Sequence, residues 1–241
     1  MDDTLYPMSL GINMACRLNI QEYMLNQLHI DESDVPKMCL DLYREHGTTM
    51  AGLKALGYEF DDDEFHAYVH GRLPYDKLKP DPVLRSLLIS MPQRKIIFTN
   101  ADQTHVAKVL KKMGLEDCFE GVICFETLNP ACKNGNKILC KPSVEAMKAV
   151  IKIANVDDAN RILFFDDNVR NIASGKEAGL STVLVGSSGP AEGADFVLMS
   201  IHNMKEAIPE IWSILSKDEE EHVEQMVHLQ LQASAVEPVQ A

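Results

Sequence analysis

Acidic, hydroxyl, amide and basic residues lie where short apolar segments of this chain end or where the chain begins. In chain order they are Asp2, Asp3, Thr4, Thr99, Asn100, Lys141, Asp166 and Asp167. Carboxylates of this kind can bind a hard cation, whereas a hydroxyl or an ammonium group can bind an anion. Each group of neighbouring polar residues, taken alone, also has an ordinary structural explanation, as a helix cap, a turn or a solvated chain end.

Apolar periodicity predicts the elements that position these residues. Between 11 and 79 the apolar residues recur at helical spacing, which predicts four or five helices. Beyond Pro82, short apolar runs alternate with amphipathic stretches, which predicts an α/β fold with a Rossmann-like parallel sheet. The predicted strands are 95–99, 121–126, 162–166, 181–185 and 195–198. Because ligands bind at the carboxyl ends of parallel strands, the polar residues should meet at one edge of the sheet.

Local signals divide the chain into three parts. An α/β core is predicted for 1–10 and 80–215, an all-helical insert for 11–79, and a flexible acidic, Gln-rich tail for 216–241. Within the core, Asp102 and Ser143 are predicted helix N-caps and Gly114 a helix end. A long polar loop is predicted at 127–139, where substrate contacts and exposed filler are equally compatible with the sequence.

Composition excludes several classes of partner. The chain has 241 residues, 46% of them hydrophobic, with 36 acidic against 23 basic residues and a formal charge of -13. This balance argues against nucleic-acid or anionic-membrane binding and favours small or neutral partners. The six cysteines show no paired spacing, so reduced thiols are expected. No run approaches the ~20 apolar residues of a membrane span, and we expect a cytoplasmic or nuclear protein unless an upstream segment carries a targeting signal.

The order of the polar sets resembles the haloacid dehalogenase-like hydrolase superfamily, most of whose members are magnesium-dependent phosphatases. The resemblance covers about 1–215. Its first motif is an apolar strand ending in Asp-x-Asp-x-Thr, its second a Ser or Thr, its third a Lys and its fourth an acidic pair. The matching residues are Asp2, Thr4, Thr99, Lys141, Asp166 and Asp167.

The resemblance implies a role for each matched residue. Asp2 is the expected general acid/base, and its backbone carbonyl, with Asp166 and Asp167, is expected to bind Mg²⁺. Lys141, the Thr99 hydroxyl and the backbone amide of Asn100 are expected to hold the phosphoryl oxygens.

The nucleophile of this motif is an aspartate two residues before the acid/base, ahead of Met1. The residues 4–7 fix that register, so Asp2 is not expected to replace it. We therefore expect a longer natural form with an upstream apolar strand ending in Asp, and nearly no activity from 1–241 alone. That strand would lie between those carrying Thr99 and Asp166, so two inner strand edges should lack partners without it.

The segment Tyr43 to Leu53 is similar to the Tyr-x-x-x-Gly-x-Thr-x-x-Gly-Leu pattern of the pyrimidine 5'-nucleotidase branch. This resemblance implies that the helical insert is a cap and that the substrate is a small phosphate monoester such as UMP or CMP. Thr48 and Thr49 are then expected substrate contacts. Alternatively, these glycines end helices and the threonines cap them.

Other interpretations remain open. A noncatalytic phosphate-binding or interaction protein would keep the same polar residues without turnover, and a phosphoacceptor regulator fits less well because of the large insert. His66 and His70 have a spacing on a predicted helix that can hold a metal, but no third ligand accompanies them in the sequence. Surface histidines are expected there.

Overall fold

The structure is a computed structural model that describes residues 1–130 and 138–212. The predicted tail at 216–241 and most of the predicted loop at 127–139 lie outside these residues. No described helix is both long enough and apolar enough to cross a bilayer.

Four helices, called the helical block below, fill the predicted all-helical insert. They are α1 (Ile12–Asn26), α2 (Val35–His46), α3 (Thr49–Ala55) and α4 (Asp62–Gly71). The Thr48 and Asp61 side chains cap α3 and α4 by accepting backbone N–H bonds. The block has its own apolar core, in which the Tyr23 ring packs edge-on against Phe65 at 4.9 Å.

Outside the helical block, the described chain contains short parallel strands, six further α-helices and several single-turn 3₁₀ helices. The strands are β1 (Ile96–Phe98), β2 (Gly121–Ile123), β3 (Leu163–Asp166), β4 (Ser181–Val185) and β5 (Phe196–Leu198). The helices are α5 (Pro82–Ile89), α6 (Gln103–Met113), α7 (Phe125–Leu128), α8 (Val144–Ile153), α9 (Val169–Glu177) and α10 (Met204–Ala207). The predicted caps of α6 and α8 are confirmed, and α6 ends at Gly114 in the left-handed conformation.

The strands form two separate parallel sheets. One is β1–β2, with Ile97 opposite Val122, and the other is β3–β4–β5, with Phe165 opposite Val183. Across 1–130 and 138–212, no strand joins β1 to β3, which is the gap expected from the sequence. The first residues make a turn there, with Met1 O accepting from Leu5 N at 2.9 Å, and their apolar side chains join the core under the sheets.

The second predicted strand is too long at its carboxyl end. The strand ends at Ile123, and α7 begins at Phe125. Cys124 and Thr127 satisfy each other's backbone N–H groups there, so a helical turn is formed where the apolar run 121–126 predicted a longer strand.

Candidate functional site

The edge between β1 and β3 is occupied by a buried ion pair. Lys141 Nζ lies 2.7 Å from Asp166 Oδ2, and both side chains are nearly inaccessible. The same ammonium donates to the Phe98 carbonyl at 3.3 Å. Since an ammonium has three donors, one N–H remains for a further acceptor. Burial raises the pKa of Asp166, but the charge of Lys141 outweighs it and holds that pKa below its usual range.

The Asn100 side chain fixes the backbone of Lys141. Its amide donates to the Lys141 carbonyl at 3.0 Å, and its Oδ1 accepts from the Lys141 N–H at 2.8 Å. These two hydrogen bonds join residues 41 positions apart and link the end of β1 to the Lys141–Pro142 turn. Only the backbone amide of Asn100 had a role predicted from the sequence, because a side-chain hydrogen bond to so distant a residue leaves no local sequence pattern.

Thr99 is buried directly after β1. Its N–H donates to the Ile123 carbonyl at 3.0 Å, and its hydroxyl oxygen accepts from the Ala101 N–H at 3.2 Å. The hydroxyl hydrogen is therefore left to donate to another group. Thr99 follows Phe98, whose carbonyl binds Lys141, so hydroxyl and ammonium belong to the same strand end.

Oxygen atoms from the chain start and from the end of β3 lie together. The Thr4 hydroxyl lies 3.2 Å from Asp167 Oδ1 and 3.3 Å from the Asp2 carbonyl oxygen, so it joins the two. Burial, and then the neighbouring Asp166 carboxylate, raise the pKa of Asp167. This set of hard oxygens fits Mg²⁺, and a bound cation would offset the repulsion between the two carboxylates.

The Asp2 carboxylate is held by two side chains that the sequence did not single out. Tyr6 donates its hydroxyl to Asp2 Oδ1 at 2.6 Å, and His105 Nε2 lies 2.7 Å from the same atom. The Tyr75 hydroxyl, 2.7 Å from His105 Nδ1, holds the other side of the ring. Among the described residues, Asp2 Oδ2 accepts no hydrogen bond, which leaves it available to a ligand.

These contacts decide how readily Asp2 ionises. Burial raises the pKa of Asp2, but the His105 ring and the Tyr6 hydroxyl outweigh burial and hold that pKa well below its usual range. One feature of the sequence could have indicated that His105 is buried near the site: it lies three residues after the N-cap Asp102, on the inner face of α6.

Of the two threonines expected to contact substrate, one is engaged inside the helical block. Thr49 is buried and donates its hydroxyl to the Cys39 carbonyl at 3.0 Å. Thr48 is partly exposed and accepts from the Ala51 N–H at 3.0 Å as the cap of α3. Thr48 thus makes the helix cap that the sequence left open as the alternative, whereas Thr49 caps no helix. Contact of either side chain with substrate stays a prediction.

The preceding residue, Gly47, joins the helical block to the site. It has φ +87°, and a Cβ atom there would meet the Lys141 carbonyl oxygen and lie 2.8 Å from Pro142 Cδ. We expect Gly47→Ala to lower the free energy of unfolding by about 1–3 kcal/mol through left-handed strain alone. The clash with the Lys141 backbone should add about 1–3 kcal/mol. Urea unfolding of the Gly47→Ala variant would measure the sum of the strain and the clash.

Gly57→Ala is the matched control. Gly57 has φ +88°, and a Cβ atom there meets nothing within 4 Å. The control therefore has the strain without the clash. Equal destabilisation by both substitutions would show that Gly47 has no packing role against Lys141.

The expectation for His66 and His70 was wrong. His66 is 6% exposed, and both histidines meet Asp102, which comes from the distant start of α6. The third ligand-type residue was invisible in the sequence because α4 and α6 become neighbours only through folding.

Comparison with known proteins agrees with this fold. The haloacid dehalogenase-like hydrolase family matches residues 8–179. Phosphate metabolism protein 8 of Saccharomyces cerevisiae is 24% identical over 192 residues, which are 76% of this chain. The matched part spans 59% of the yeast protein's length.

Two of the solved structures that are similar to this chain align with it over most of the length of both proteins. The HAD-hydrolase YfnB from Bacillus subtilis, bound to magnesium, has a TM-score of 0.55 at 18% identity, covering 89% of this chain and 96% of its own. The HAD phosphatase from Thermococcus onnurineus has a TM-score of 0.54 at 15% identity, covering 86% and 94%. At these identities the similarity establishes the fold.

Proposed function

We propose that this chain, which belongs to the haloacid dehalogenase-like hydrolase family, carries the site of a Mg²⁺-dependent phosphatase acting on pyrimidine nucleoside 5'-monophosphates. The observation that carries the proposal is the buried Lys141–Asp166 pair, placed beside the Thr99 hydroxyl and the Asp167 carboxylate. A phosphate monoester bears close to two negative charges, and this site offers one cation, a hydroxyl donor and oxygen ligands for a second cation.

Each side chain then has one task. The free N–H of Lys141 and the hydroxyl of Thr99 bind the phosphoryl oxygens, and the Asn100 side chain holds Lys141 in register. Asp166, Asp167 and the Asp2 carbonyl would hold Mg²⁺. When bound, Mg²⁺ neutralises charge on the phosphoryl group.

Asp2 is the proposed general acid/base. Its Oδ1 is fixed by Tyr6 and His105, so Oδ2 would give a proton to the leaving alkoxide and later take one from water. The lowered pKa of Asp2 opposes the protonated form, and the negative charge of a bound phosphate would raise that pKa. The nucleophile of the motif is the aspartate two residues before Asp2, which forms the aspartyl-phosphate. Residues 1–241 do not include an aspartate at that place, so we propose that this polypeptide binds substrate and that turnover requires an aspartate two residues before Asp2.

The substrate class is proposed from the helical block. The segment Tyr43 to Leu53 is similar to the pyrimidine 5'-nucleotidase branch, and Gly47 in it lies against the Lys141 backbone. The Tyr43 hydroxyl accepts from Asn168 Nδ2 at 2.7 Å, just after the acidic pair. We propose that the helical block, within 11–79, is a cap that covers the core of 1–10 and 80–215 and favours a small metabolite over a protein substrate.

Ligand-dependent stability of the 1–241 polypeptide tests this proposal. With Mg²⁺ and UMP at about 100 times Kd, we expect Tm to rise by about 5–10 °C. Uridine, which lacks the phosphate, should give no rise, and AMP a smaller one. Asp167→Asn should remove the Mg²⁺-dependent part. If none of the nucleotides raises Tm, the site does not bind them.

A further inference from the structure

Two histidines and an aspartate converge where α4 packs against the start of α6. His70 Nδ1 lies 2.5 Å and His66 Nδ1 3.9 Å from Asp102 Oδ1. One ligand atom of each residue lies within 4.8 Å of the others. The two histidines come from successive turns of one helix, and the carboxylate comes from a separate element, so three chain positions point at one small volume.

His66 lacks a hydrogen-bond partner in this position. It is 6% exposed, and neither ring nitrogen makes a hydrogen bond within the described part of the chain. Burying a polar group without a partner costs free energy, and the large majority of buried polar atoms in native proteins have one. A ligand between His66 and Asp102 would provide the partner.

The surroundings favour a cation. Asp102, Glu126 and Asp62 all act on the His66 ring with negative charge. Burial, followed by the nearby His70, nevertheless lowers the pKa of His66 to about 4. Imidazole nitrogens and carboxylate oxygens are both ligands of transition metal ions.

We propose that His66, His70 and Asp102 form a binding site for a divalent transition metal ion of the Zn²⁺ class. Two imidazoles and a carboxylate, with a fourth position open, are a ligand set that Zn²⁺ accepts. Tetrahedral bonds of ~2.0–2.1 Å place ligand atoms about 3.3 Å apart. The 2.5 Å and 3.9 Å separations of the two Nδ1 atoms from Asp102 Oδ1 bracket that value.

Such a metal would link the helical block to the site. Asp102 lies three residues after Thr99, and the His70 ring stacks on His105 at 4.6 Å. The metal would differ in kind from Mg²⁺ because its ligands are mainly nitrogen. It would hold α4 on the start of α6 and thereby stabilise the fold.

Competition between the 1–241 polypeptide and a chromophoric chelator for Zn²⁺, in excess Mg²⁺, tests the proposal. We expect one tightly bound Zn²⁺ per chain and a rise in Tm on binding. His66→Ala and His70→Ala should each weaken binding at least about tenfold, since even the loss of outer partners of metal ligands costs that much. Asp102→Asn, which keeps an oxygen to cap α6, should also weaken it.

His202→Ala is the matched control, because His202 Nε2 lies 2.8 Å from Asp81 Oδ2 as a surface pair without a second histidine. It should leave Zn²⁺ affinity unchanged. Co²⁺ should give the absorption of a tetrahedral site with nitrogen and oxygen ligands. The proposal is overturned if the unaltered chain binds no Zn²⁺, if folded His66 and Asp102 variants bind it equally well, or if Co²⁺ shows thiolate charge-transfer bands.

Discussion

Replacing Lys141 by methionine is expected to lower the free energy of unfolding by about 3–5 kcal/mol, the usual cost of removing one partner of a buried ion pair. The substitution leaves the Asp166 carboxylate, 1% exposed, without its countercharge. Bonds from Asn168 N and Asn171 Nδ2 to Asp166 Oδ1 remain, but they are neutral donors. Urea unfolding with an unchanged m-value would measure the loss.

Lys176→Met provides the control for this effect. Lys176 also pairs with an aspartate, Asp195, but its side chain is half exposed. We expect a loss of at most about 1 kcal/mol there. A similar loss for both lysines would contradict the special status of the buried pair.

The Lys141 effect should depend on pH. The pKa of Asp166 is lowered in the folded protein, so the unfolded chain takes up protons first as the pH falls. The pair therefore contributes fully above the ordinary aspartate pKa of about 3.9, and its contribution is lost below that value. The difference between the unaltered chain and Lys141→Met should shrink in acid.

The positions of the strands could be predicted from the sequence because each strand lies in a short apolar run. All five predicted runs contain a strand, and only the run ending at 126 was interrupted by a helix start. The gap between β1 and β3 was expected from the resemblance, which implies a first strand between those that carry Thr99 and Asp166. The described residues have no strand there.

The supporting contacts of the site could not be predicted in the same way. Motif spacing indicated Asp2 and Lys141, but two of the groups that hold them are distant in the chain: Asn100 is 41 positions from Lys141, and His105 is 103 positions from Asp2. Such contacts depend on how α6 and the Lys141–Pro142 turn pack, which periodicity does not encode. The same reason explains the wrong expectation for His66.

Asp2→Asn should lower kcat for UMP by about 10²–10⁴-fold in a polypeptide extended by an apolar strand and an aspartate ahead of Met1. Asparagine keeps an oxygen that can accept from Tyr6 and His105, so the fold is conserved while the exchangeable proton is lost. The loss should be smaller for an aryl phosphate, because a phenolate leaves without protonation more readily than an alkoxide.

Asp3→Asn is the control for the loss of one negative charge near the start of the chain. Asp3 is buried, and its Oδ2 accepts from Asn13 Nδ2 at 2.7 Å rather than from the partners of Asp2. It should keep activity within about tenfold, well short of the acid/base effect. A comparable loss from both substitutions, or the same loss for UMP and the aryl phosphate, would argue against Asp2 as the acid.

Phosphate release from UMP by two extended polypeptides tests the central claim most directly. They differ only in carrying Asp or Asn immediately ahead of Met1, two residues before Asp2. We predict Mg²⁺-dependent release by the Asp form, abolished by chelating Mg²⁺, and almost none by the Asn form or by 1–241. Equal Mg²⁺-dependent turnover by all three, or none by the folded Asp form, would contradict the proposal that these residues form a phosphatase site.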